Sequence, residues 1–78
     1  MSKGTLIHAV SAGDRNIFTS LTAVAPGDHL LIDGGKENQE IVVVESVRQI
    51  AFSELQISFL NFDHNHQAEV KVIPKDGK

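Results

Sequence analysis

Apolar and polar residues alternate along most of this chain with a period of two, the spacing that places every second side chain on one face of an extended strand. Leu6, His8 and Val10 alternate with Ile7 and Ala9 in a first short strand, and Ser11-Ala12-Gly13-Asp14 reads as the turn after it. Ile17, Thr19 and Leu21 share one face of the next segment. Ile17, Leu21 and Val24 also fit a helical face, but two β-branched threonines and the short span favour a strand followed by a bend. Pro26-Gly27-Asp28 is a turn in which proline presets the first corner and glycine accepts a positive angle at the second. His29 to Asp33 is a strand with Leu30 and Ile32 on one face, and Gly34 to Asn38 is the hairpin loop after it.

Glu40 to Val47 carries the strongest strand signal, through Ile41-Val42-Val43-Val44. Apolar on both faces, it is expected in the middle of the sheet. Ile50 and Phe52 continue the pattern, and Leu55, Ile57 and Phe59 then alternate with Gln56 and Ser58. Asn61 to Gln67 is polar and irregular. Val70 and Val72 mark a last strand that Pro74 ends. The expected fold is all-β, a small barrel or sandwich of six to seven short antiparallel strands. It forms one domain over 4–74 with a solvated tail at 75–78. Leu30, Ile32, Val42, Val44, Ile57 and Val70 are its expected core.

Composition narrows the function classes. With 78 residues the core is small, and chains of this size often gain support from disulfides, metals or association. Cysteine is absent, which removes disulfides and thiolate metal sites. The net charge is −3 and the seven Lys and Arg are scattered, so no basic stripe exists to displace nucleic-acid counterions. There is no Trp or Tyr to stack on bases, and the four Phe lie in patterns that read as core. No apolar run approaches a membrane span, and the start lacks the apolar stretch of a signal peptide. Neither a nucleic-acid nor a membrane partner is expected.

Asp63-His64-Asn65-His66 holds the leading metal candidates, to which His8 or His29 could add only through a tertiary contact. His64 and His66 would share a face of an extended strand, with Asp63 as a third ligand, but no fourth ligand is evident for a structural site. The expected arrangement instead has His64 packed in its loop on a backbone carbonyl and His66 exposed, and no metal is expected. Gly34-Gly35-Lys36 lacks the spacing and following helix of a phosphate loop. Asp28, His29 and Asp33 suggest acid–base chemistry only weakly, because aspartate at a turn more often bonds its own backbone. No catalytic residue and no cofactor is expected, and the chain is not expected to be an enzyme.

The order of motifs resembles small β-modules of bacteriophage and phage-tail-like baseplate proteins, and of some secreted carbohydrate-active proteins. The matching residues are Ala12-Gly13, Gly27-Asp28, Gly34-Gly35, Glu40 with Val42 to Val47, and Leu60, His64, Ala68 and Val70. Two features depart from the pattern: Gln67 stands where glycine is usual, and Arg48 to Glu54 is longer than the usual tight hairpin. The resemblance implies a structural or binding unit with no catalytic residues. The expectation is a decoration, tail or baseplate component of a virion or phage-like particle, otherwise cytoplasmic. It would act by self-association or by contact with a larger shell or tail protein; a carbohydrate- or ligand-binding module is the alternative. The first two strands carry little charge to protect an open edge, so a neighbouring subunit is expected to cover them, the alternative being that the barrel closes and hides both. Thr5, Ile7, Ala9, Phe18 and Ser20 are therefore the expected interface residues.

Overall fold

A computed structural model describes residues 3–73, and they form six strands and no helix. The strands are β1 (Lys3–Thr5), β2 (Asn16–Thr19), β3 (His29–Ile32), β4 (Glu40–Gln49), β5 (Ser53–Ile57) and β6 (Glu69–Ile73). Their order across the sheet is β1-β6-β3-β4-β5-β2, and every neighbouring pair is antiparallel. The all-β expectation holds. Pro74 and the tail lie outside the described residues.

β4 is the long strand on which the sheet curls. Glu40 to Val43 pair with β3, whereas Val44 to Gln49 pair with β5. A register shift between Val44 and Ser46 leaves Glu45 as the extra residue. Such a bulge bends its strand and sharpens the twist, which is what a tight barrel requires of a shared strand.

The two ends of the sheet then meet. Leu6 bridges Thr19, Ser20 N–H donates to the Thr5 carbonyl at 3.0 Å, and Ile7 N–H donates to the Phe18 carbonyl at 2.8 Å. The Thr19 hydroxyl, fully buried, also donates to the Thr5 carbonyl at 2.8 Å. Glycine at position 4 permits this approach: a Cβ there would lie 2.9 Å from the Leu21 backbone nitrogen and 2.7 Å from Ser20 Oγ. The strands expected to be open edges therefore pair with each other in a nearly closed barrel.

Among the described residues thirteen apolar side chains are buried inside, the six expected core positions among them. The outward residues differ from expectation. β4 is not apolar on two buried faces: Val42 and Val44 point inward, while Ile41 and Val43 are 56% and 38% exposed. The outer face of a closed barrel has no second layer to cover it, so β-branched residues there meet solvent. The phenylalanines are not core either. Phe59 and Phe62 are exposed, and Phe18 and Phe52 are half-buried, with Phe18 packed edge-on against Phe52 and His8. The first strand is also shorter and earlier than expected; beyond Thr5, only Leu6 and Val10 make isolated bridges before the turn.

Four turns share one design. Asp14, Asp28, Lys36 and Ala68 each donate their N–H three residues back, to the carbonyls of Ser11, Ala25, Asp33 and Asn65, each at 3.1 Å. The third residue of each turn has positive φ: 92° at Gly13, 92° at Gly27, 85° at Gly35 and 71° at Gln67. A type II turn demands that angle, which glycine adopts freely and a residue with a Cβ does not. The carboxylates of Asp14 and Asp28 complete their turns by accepting from Ser11 N–H and Ala25 N–H, both at 2.9 Å. Gln67 thus occupies a glycine conformation, which explains why its position stood out in the sequence.

Candidate functional site

The chemistry-bearing residues gather around His64. The chain from Asn61 to Gln67 is too polar for a strand, so its backbone groups need partners elsewhere. His64 and Val10 exchange both main-chain hydrogen bonds, at 2.9 and 3.0 Å. Ala12 N–H donates to Asp63 Oδ1 at 2.8 Å, and Gly13 N–H to the Leu60 carbonyl at 2.6 Å. The loop is thereby stitched to the first turn, and the His64 ring is carried inward, with its side chain wholly buried.

Both ring nitrogens face carboxylates. Nδ1 lies 2.7 Å from Asp33 Oδ2 and Nε2 lies 2.6 Å from Glu40 Oε2. The two carboxylates hold the imidazole ring from both sides. The carboxylates take further donors. Asn61 N–H and Phe62 N–H donate to Glu40 Oε1 and Oε2 at 2.8 and 3.1 Å. Asn38 Nδ2 donates to Asp33 Oδ2 at 3.2 Å and to the Asp63 carbonyl at 2.9 Å. Asp33 follows β3 with a φ of 55°, a region that aspartate tolerates better than most residues.

This arrangement fixes a structure. Both carboxylates are about 95% buried, and among the described residues no hydroxyl hydrogen-bonds to His64 that could serve as a nucleophile. Coordination by the candidate trio Asp63, His64 and His66 is not what the geometry offers. Both His64 nitrogens are engaged by carboxylates, Asp63 accepts from Ala12, and His66 is exposed on a turn. Among the described residues no group of three or more His, Asp or Glu is arranged to hold a metal ion. Nor does the His64 side chain rest on a backbone carbonyl; two acids hold it instead. Asp28 behaves as expected of a turn aspartate, bonding its own backbone.

One signal in the sequence pointed to the trio. Glu40 has the same strand parity as Val42 and Val44, so it must point into the core, and a buried carboxylate needs a partner. Asp33 offered no such signal, because its carboxylate reaches His64 only through the positive φ after β3.

Two features face solvent. A polar cleft of about 280 Å³ is lined by Asp33, Lys36, Asn38, Asn65, His66, Gln67 and Ala68. On the barrel exterior, β6, β3 and β4 align two rows across the strands: Lys71–Leu31–Ile41 and Ile73–His29–Val43. Phe59 and Phe62 are also exposed, in the segment that follows β5. The expected interface residues lie elsewhere: Thr5, Ala9 and Ser20 are exposed, and Ile7 and Phe18 half-buried, along the seam where the barrel closes. Their backbone pairing removes the open edge that motivated choosing them.

No protein-family model, curated protein or solved structure matches this chain.

Proposed function

We propose that this protein is a non-catalytic structural module that works through protein–protein contacts, as a decoration, tail or baseplate component of a virion or phage-like particle. The observation that carries the contact reading is the exterior of β6, β3 and β4. Ile41 and Val43 are exposed there, and Leu31 and Ile73 half-exposed beside them. Scattered surface apolar residues are ordinary, but a cluster on one face of a small domain marks a contact surface. The ordered and sequestered His64 cluster supports the same reading, since it spends the chain's most reactive groups on holding loops. The particle assignment rests on the resemblance of the turn and strand motifs. The test is a photo-cross-linking residue placed at Ile41, and at Ala9 as control, in the organism that encodes the chain. Cross-linking from Ile41 to a particle structural protein or to another copy is expected, with none from Ala9.

The polar cleft beside Asp33 favours a second reading, a module for a small polar ligand such as a sugar. Glycan-array binding abolished by His66→Ala or Lys36→Ala would favour it over the first.

A further inference from the structure

We propose that the polar cleft beside Asp33 binds a single residue of a neutral sugar. The proposal rests on the second reading above and names its ligand class. The cleft, about 280 Å³, has room for one sugar ring. Among the described residues only Asp33 and Gln67 hold a positive φ without being glycine, at 55° and 71°, and both line this cleft. Strained backbone concentrates at ligand sites, where a side chain is kept at a conformational cost. Three equivalent turns use glycine at this corner, and the fourth, at the cleft, carries glutamine. Gln67 N–H is taken by the Leu6 carbonyl at 2.9 Å, but its exposed side chain makes no hydrogen bond among the described residues, which leaves it available to a ligand.

The Asp33 carboxylate sets the chemistry of that ligand. Its side chain is 5% exposed, and Oδ2 is engaged by His64 Nδ1 at 2.7 Å and by Asn38 Nδ2 at 3.2 Å. Those contacts orient the carboxylate before a ligand arrives. Oδ1 accepts no hydrogen bond among the described residues; the Lys36 ammonium lies 3.9 Å away, too far for one. An oxygen placed between them can lie within hydrogen-bond distance of both. An anion there would meet the bare carboxylate oxygen, and a cation would meet the ammonium. A hydroxyl suits both, donating to Oδ1 and accepting from Nζ. The exposed amides of Asn65 and Gln67 each carry a donor and an acceptor, so neighbouring hydroxyls find the same two-way partners. Adjacent hydroxyls on one ring are the chemistry of a sugar. No phenylalanine lines the cleft, so hydrogen bonds carry the affinity and the Kd is on the order of 1 mM.

The test is a nuclear magnetic resonance titration of the isotopically labelled full chain with glucose, galactose, mannose and N-acetylglucosamine in turn. With at least one of them, saturable shifts are expected at the Gly35, Gln67 and Ala68 backbone amides and the Asn65 and Gln67 side-chain amides. Gln67→Gly should keep or raise the melting temperature and weaken binding by about tenfold or more. Lys36→Met, at an exposed position, should weaken it likewise without moving the melt. A silent cleft with all of these sugars overturns the proposal. So does a Gln67→Gly variant that binds as the parent does, or one that loses stability. Glucuronate and glucosamine, one acidic and one basic, separate this failure from that of the underlying reading. A cleft that responds only to a charged sugar keeps the polar-ligand module and overturns the neutral-sugar assignment; a cleft silent to charged and neutral sugars alike loses both.

Discussion

Glu40 Oε2 lies 2.6 Å from His64 Nε2, tying the first residue of β4 to the middle of a loop twenty-four positions later. Asp33 grips the other side of the same ring. The loop from Asn61 to Gln67 has little apolar content of its own, so this clamp and the Val10 pairing are what order it.

Removing the ring leaves two buried carboxylates facing a void. His64→Ala should therefore destabilise the protein by about 3 kcal/mol or more. His66→Ala, on an exposed turn, should stay within about 0.5 kcal/mol of the parent. Urea unfolding of both variants decides the matter. Equal losses at the two positions, rescued by added zinc, would mean coordination instead, and chelator treatment of the parent should leave its melting curve in place.

Gln67 holds a φ of 71° at the position where the three equivalent turns have glycine. Gln67→Gly should relieve that strain and stabilise the protein by up to about 1 kcal/mol, despite the greater freedom glycine gives the unfolded chain. Gly13→Ala should do the opposite. A thermal melt in which Gln67→Gly loses stability would show that its side chain contributes more than its backbone costs.

Gly4 is where the barrel closes. Gly4→Ala forces a methyl against the Leu21 backbone and should cost roughly 1–3 kcal/mol. Hydrogen exchange should show the Ile7 and Ser20 amides losing protection first. Unchanged protection there would mean that the seam tolerates the extra volume.

The two faces of β4 should respond differently to the same charge. Val44→Asp buries an unpaired carboxylate and should cost about 3 kcal/mol or more. Val43→Asp, on the outer face, should cost far less in dilute solution. Similar losses for both would show that the outer face is covered in the monomer.

Period-two alternation made most of the barrel legible. Leu30, Ile32, Val42, Val44 and Ile57 are buried as their parity requires, and the glycine turns lie where the motifs put them. What alternation could not show was closure. That Leu6 meets Thr19 depends on the curl of the whole sheet, so the choice between open edges and a seam is set by long-range geometry. The same ignorance misplaced Ile41, Val43 and the phenylalanines: an apolar run says that a strand forms, but not that both faces are covered. Half of the His64 clamp was available in the parity of Glu40. The other half, Asp33, depends on one backbone angle that no pattern of residue types reveals.

The central claim is that this protein makes its contacts through the outer face of β6, β3 and β4, and not through the strands at its N-terminal seam. Amide chemical shifts followed by nuclear magnetic resonance as the protein is concentrated test it most directly. Movement confined to Leu31, Ile41, Val43, Lys71 and their neighbours is the predicted result. Shifts concentrated at Thr5, Ile7, Ala9, Phe18 and Ser20, with the outer face silent, would contradict it.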